Sequence, residues 1–167
     1  MKQLYLVRHA KSSWKYPHLR DHDRQLNSRG KRDAQEMGRR LKTLGILPSL
    51  LMASSSIRTM TTAEVIANAI GFNTSGIISK EDLFHADTTL LAETVRNLDD
   101  QIASAMLFGH NPGLTWFANE TGLLKINNIP TCGVVAFSLP IDSWKEFESG
   151  IGQLLFYDYP KNKKQVS

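Results

Sequence analysis

The chain has 167 residues, 41% hydrophobic and 22% charged, with a formal net charge of +4. That length points to one domain, able to bury roughly two thirds of its unfolded surface, and the composition excludes disordered and fibrous classes. A single cysteine, Cys132, excludes an internal disulfide and reads as a small buried hydrophobe. A lone cysteine also fits a reducing compartment.

LYLVR at 4–8 is a short apolar run of strand formers, read as a buried strand. Arg8 and His9 cut this run before it reaches the length of a signal-peptide core. No later apolar stretch approaches membrane-spanning length, so the expectation is a cytoplasmic protein without a membrane partner. A polar loop carrying Pro17 follows, over 11–27. Asn27 or Ser28 can cap a helix over 28–44, with Ala34, Met37, Leu41 and Leu44 at helical spacing and Gly45 as its stop. LLMAS at 50–54 is the second strand, and Ser56 can cap a helix over 57–70 that Gly71 closes.

A short strand is expected near 74–78, then a helix over 88–98 capped by Asp87 or Thr88. SAMLFG at 104–109 reads as the next buried strand. Pro112 suits the first turn of a helix reaching Glu120, with Asn111 as cap. VVAFSL at 134–139 and GQLLFYDY at 152–159 read as late antiparallel strands, with Trp144 packing between them. Residues 1–160 form one domain in this reading, and 161–167 a basic tail. Residues 1–45 carry twelve Lys and Arg against four Asp and Glu, which raises nucleic-acid binding. The excess falls partly on a helix face with acidic partners, without a zinc finger, recognition helix or aromatic RNA-binding motif. Nucleic acid is therefore not an expected partner.

Strands alternating with helices predict a three-layer α/β/α domain around a mostly parallel sheet. Ligands bind such sheets beyond the carboxyl ends of the strands. Two strands end in Arg8-His9 and Gly109-His110-Asn111-Pro112, and the helix after the second strand begins near Arg58. These four side chains can converge on one crevice and form a phosphate pocket. A guanidinium fork matches phosphate oxygens, and a neutral imidazole can attack phosphorus. A second imidazole, if protonated, can stabilise the equatorial oxygens. The helix starting at Pro112 can add backbone donors. The arrangement requires no metal and no cofactor. Each residue also has a plainer reading: a surface pair at a strand end, a solvated helix arginine, a loop histidine. Composition and periodicity do not separate the two.

Blocks along the chain do. MKQLYLVRHAKSSW, DHDRQLNSRGKRDAQEMGRRL at 21–41, SSSIRTMTTAEVIA at 54–67 (Ser-x-x-x-Arg-x-x-x-Thr-Ala), LFGHNPGL at 107–114 and the closing PTCGVVAFSL and LLFYDYPK stand in order. Together they resemble the histidine phosphatase superfamily, with its phosphoglycerate mutase-like fold. The match is closest to the bacterial SixA-type phosphohistidine phosphatases. The resemblance implies His9 as nucleophile, Arg8 and Arg58 as phosphate-binding arginines and His110 as the second pocket histidine. Ala10 and Lys11 follow His9, as in SixA-type proteins, where larger relatives carry Gly and often Glu. Glu81 is the nearest positional match to the general-acid glutamate of mutase-type relatives; its alternative is a solvated loop carboxylate. Arg24 either approaches the pocket or pairs with Asp21 or Asp23, and Ser12 either binds phosphate or caps the loop. The implied activity is removal of phosphate from a phosphorylated histidine domain of a two-component or phosphorelay protein, through a covalent phosphohistidine intermediate. The chain is expected to be a monomer. A phosphatase of small phosphate esters and a weakly active phosphoprotein-binding module are the alternatives.

Overall fold

The residues of the first strand, β1 (Lys2–Arg8), face two different cores in turn. Leu4 and Leu6 enter one, and Tyr5 and Val7 the other. An apolar run of this kind, without an exposed polar side, belongs to a strand covered on both faces. In the computed structural model, which describes residues 1–164, β1 is an inner strand of a six-stranded sheet. Residues 165–167 of the expected basic tail lie outside the described residues.

The elements follow the expected alternation closely. Helix α1 (Ser28–Thr43) is capped by Asn27, whose side chain accepts from Gly30 N at 2.8 Å. Strand β2 (Leu50–Ser54) leads to α2 (Ile57–Ile70), capped by Ser56 and closed by Gly71 at φ 86°. Strand β3 is Ile78–Lys80, later than expected, because a 3-10 turn at Thr74–Gly76 takes up the preceding residues. A second 3-10 turn, Glu81–His85, leads into α3 (Thr88–Arg96), where Asp87 is the cap. Strand β4 (Ser104–Gly109) is followed by α4 (Gly113–Gly122), and β5 (Val134–Leu139) and β6 (Gln153–Asp158) complete the sheet.

The strand order is β3-β2-β4-β1-β5-β6. Strands β1, β2, β3 and β4 pair in parallel, and β5 runs antiparallel to both β1 and β6. Ala34, Met37 and Leu41 of α1 pack with Ala63 and Ile66 of α2 on one side of the sheet. Leu91 and Val95 of α3, Leu114 and Phe117 of α4 and the fully buried Trp144 cover the other. The indole N–H of Trp144 donates to Ile102 O at 2.9 Å, so this ring belongs to the core.

This layering positions the site. Strand β1 leads to a helix on one side of the sheet, and its neighbour β4 leads to a helix on the other. The loops after the two strands therefore part, and a crevice opens between their carboxyl ends. Arg8 is in register with Gly109, which sets His9 beside His110. Two glycines let the chain close around that crevice. A Cβ on Gly30 would lie 2.1 Å from Lys11 O, and one on Gly113 would lie 2.2 Å from Ala86 O. At these two points the helix starts touch neighbouring backbone directly.

Candidate active site

His9 extends β1 by one ladder bond, from its N–H to Gly109 O at 3.1 Å, and its own carbonyl accepts from Cys132 N at 3.0 Å. The backbone is thus held from both sides. Its Nδ1 lies 2.8 Å from Ala10 O. A carbonyl only accepts, so Nδ1 carries the proton and Nε2 keeps its lone pair. Burial, with the charges of Arg58, Arg8 and Arg24, pushes the His9 pKa down to about 4 against the opposing pull of the Ala10 carbonyl. The imidazole is neutral at neutral pH. Cys132 behind it is buried, and burial pushes its thiol up, away from nucleophilic character.

His110, at the end of β4, lies with its ring centroid 5.2 Å from that of His9. Its Nδ1 sits 3.4 Å from Arg58 Nη2, and its Nε2 is 2.8 Å from Ser54 Oγ and 3.2 Å from Thr59 Oγ1. A guanidinium only donates, so Nδ1 accepts and the proton resides on Nε2. Burial and the neighbouring His9 and Arg58 hold its pKa down at about 3. Both imidazoles are therefore neutral at neutral pH.

The positive charge comes from arginines. Arg8 Nη1 donates to Ile129 O at 2.9 Å. Arg58, on the first turn of α2, donates from Nη1 to Asp21 O at 2.6 Å and from Nη2 to Asp21 Oδ2 at 3.1 Å. The Nε of each is buried without a partner; the one other such side-chain atom among the described residues is Asp33 Oδ2. An unpaired buried N–H costs about 1–3 kcal/mol. Both arginines line the same cleft.

Arg24 joins both roles expected for it. Its Nε donates to Asp21 Oδ1 at 2.8 Å, its Nη1 to Ser12 Oγ at 2.7 Å, and it lines the cleft. Ser12 lines the cleft too, and its hydroxyl holds Arg24. Burial works against the Asp21 carboxylate, but hydrogen bonds from Arg24 and the charge of Arg58 keep it below the usual carboxylate range. The cleft has a volume of about 300 Å³.

Glu81 does not join this group. It is exposed at the start of its 3-10 turn and is not part of the cleft wall. Leu83 of that turn plugs into the core, and Phe84 and His85 reach the cleft instead. Three of the helix donors expected after Pro112 are also engaged within the chain. Amides of Leu114, Thr115 and Trp116 donate to His110 O, Asn111 Oδ1 and Pro112 O. The cap position falls on Pro112, without a side-chain cap bond, and not on Asn111 as expected; Asn111 precedes it and its side chain takes the Thr115 amide.

Sequence reasoning missed Asp21, Trp14, Phe84, His85 and the hydroxyls of Ser54 and Thr62 as parts of the site. The four-residue period of Ser54, Arg58 and Thr62 was the available signal. Ser54 holds His110, Arg58 enters the cleft, and Thr62 Oγ1 accepts from Ala10 N at 2.9 Å.

Comparison with known proteins agrees with this geometry. A family model of the histidine phosphatase superfamily (branch 1) matches residues 4–85, which include His9, Arg24 and Arg58. An uncharacterized chloroplastic protein of Arabidopsis thaliana is 30% identical over 154 residues, spanning 87% of this chain and 70% of that one. The fold is that of SixA. The structure from Agrobacterium tumefaciens superposes with a TM-score of 0.80 at 22% identity, over 95% of this chain and 98% of that one. A protein histidine phosphatase SixA complexed with tungstate gives 0.81 at 19% identity, over 97% and 99%. The paired strand-end histidines, the two arginines with unpaired N–H groups and the matched sequence blocks place the chain in the histidine phosphatase superfamily.

Proposed function

We propose that the protein is a phosphohistidine phosphatase that needs no metal. The reaction runs in two transfers on one atom. His9 Nε2 attacks phosphorus as the bond from phosphorus to the substrate's imidazole breaks. Water then attacks the phosphoryl group on His9, releasing inorganic phosphate and returning His9 to its starting tautomer. The observation that carries this reading is the Nδ1 contact to Ala10 O, which leaves Nε2 as the free nucleophile in a cleft lined by Arg8, Arg58 and His110. Arg8 and Arg58 take the equatorial oxygens, and His110 joins them as the anion draws a proton onto it.

The partner in this reading is a phosphorylated histidine domain of a two-component or phosphorelay protein. An imidazole leaves as a neutral ring when its other nitrogen already carries a proton, so it needs no dedicated acid. An alkoxide must receive a proton as it departs. The cleft wall has Asp21, held ionised by two arginines, and no carboxylate poised as an acid. That asymmetry favours phosphohistidine over alkyl esters.

The test is phosphate release from a phosphorylated histidine domain and from a panel of alkyl phosphates, before and after chelation and dialysis. Efficient release from the histidine domain, retained after chelation, is expected. A clear preference for alkyl phosphates would sink the substrate assignment. Activity lost on chelation and restored by magnesium or zinc would sink the metal-free mechanism.

A further inference from the structure

Trp14 is 69% exposed, yet it lines the cleft. One face of its indole lies on Arg24, whose guanidinium carbon is 3.6 Å from the ring centroid. Arg24 is buried and anchored by Ser12 and Asp21. Asp21 in turn binds Arg58, one of the two cleft arginines whose buried Nε has no partner. A continuous set of contacts therefore runs from the phosphate clamp to the indole. The loop that carries Trp14 is closed at its base by the Ser12–Leu26 bridge and by Ser13 N donating to Gln25 O at 2.8 Å. The ring is consequently held in place before any ligand arrives, which lowers the entropic cost of using it.

We propose that Trp14 is a platform for the leaving group: its open face receives a flat aromatic ring and so selects aromatic phosphoryl compounds over alkyl ones. The proposal rests on the phosphatase reading and adds a determinant of specificity to it. In a phosphohistidine the leaving group is an imidazole, one bond from the phosphorus that Arg58 would hold. A flat ring gains from stacking on indole, whereas an alkyl chain offers no π face. Aromatic pairs of this kind change affinity by about 2- to 12-fold. Phe84 and His85, with centroids 4.1 Å apart and planes inclined at 54°, supply further aromatic surface to the same cleft. The plainer role for Trp14 is to shield Arg24. A shield would affect every ligand of the cleft equally; a platform affects only ligands with a ring.

Phosphonates separate the two, because they are bound and not hydrolysed. Calorimetric affinities would be measured for methylphosphonate, cyclohexylphosphonate and phenylphosphonate. The wild type should bind phenylphosphonate about 3- to 10-fold more tightly than the other two. Trp14→Ala should bring the three together, and Trp14→Phe should restore part of the preference. Trp116→Ala, which removes an exposed indole on α4 outside the cleft, should change nothing. No preference for phenyl in the wild type, a preference that survives Trp14→Ala, or an equal loss on all three ligands would overturn the proposal. Turnover of a phosphorylated histidine domain is read separately. A protein that shows the phenyl preference but releases no phosphate from that domain keeps the platform and loses the proposed substrate. A protein that releases phosphate without the preference does the reverse.

Discussion

His9 and His110 stand at the ends of adjacent parallel strands, with ring centroids 5.2 Å apart and their planes inclined at 50°. Each is neutral at neutral pH, and each has a different nitrogen protonated. His9 carries its proton on Nδ1, against a backbone carbonyl. His110 carries it on Nε2, against the hydroxyls of Ser54 and Thr59. The two imidazoles thus differ in tautomer, which suits one to attack and the other to receive charge in the proposed reaction.

The low pKa values of the pair predict the acid side of the pH profile. His9 must be neutral to attack, and its pKa lies at about 4. The efficiency kcat/KM of the free enzyme should therefore show no loss as pH falls through the ordinary histidine range and should drop only as His9 protonates near pH 4. An apparent pKa close to 6.5 on the acid limb would contradict the burial argument.

Stability should follow the same protons. An unfolded histidine binds a proton near pH 6.5, whereas His9 and His110 do so only near 4 and 3. The unfolded chain thus holds more protons in between. The stabilising contribution is complete above about pH 6.5 and is lost as pH falls through the folded values, at up to about 1.4 kcal/mol per pH unit for each histidine. Denaturant unfolding of wild type and His110→Gln across pH 7 to 4 would reveal it. The variant should lose stability less steeply; identical slopes would show that His110 does not titrate this way.

A phosphoryl group on His9 should be trapped by rapid alkaline quenching during turnover, and peptide mapping should find it on that residue alone. His9→Ala should accumulate none and lose activity. Phosphate found on His110 in the wild type would reverse the assignment of the two imidazoles.

Arg58→Ala should lower kcat by about 100-fold or more, because its donors tighten on the oxygens as charge develops. Arg58→Lys should recover only part, since an ammonium cannot reproduce the planar fork. Unchanged kcat with only a raised KM would mean that Arg58 docks substrate and does not act on the transition state.

Glu81→Gln should leave kcat/KM within about twofold for both a phosphorylated histidine domain and an alkyl phosphate, as expected of an exposed side chain away from the reacting atoms. This outcome follows from its place outside the cleft wall. A large, equal loss on both substrates would restore Glu81 as a general acid.

Much of the architecture was legible because its signals are local. Asn27, Ser56 and Asp87 each cap a helix from within the helix's own first turn, and each is found as the sequence indicates. His9 and His110 were legible through the sequence blocks around them, which resemble the histidine phosphatase superfamily; their place after apolar runs left each with a plainer reading. The register that brings them together is a property of the sheet. Strand β3 was harder, since its three residues follow a 3-10 turn and carry little periodicity. Asp21 and Trp14 were not legible as site residues. They come from a polar loop whose path is set by Arg24 and Ser12, and no helical or strand period connects them. Glu81 illustrates the reverse error. Position along the chain favoured it, but the anchoring of Leu83 turned Phe84 and His85 toward the cleft.

Asp21 gives the empty enzyme a built-in counter-ion. Arg24 and Arg58 are buried near each other, and a carboxylate from the same chain bridges them. The chain can therefore fold around its cationic pocket without borrowing an anion from solution. A phosphoryl group that takes over the Nη donors of Arg58 exchanges one negative charge for another, and the net change in charge at the site is smaller than a count of arginines implies. Binding is then less sensitive to ionic strength than an open cluster of like charges would be, and the displaced carboxylate is at hand to reclaim Arg58 as phosphate departs.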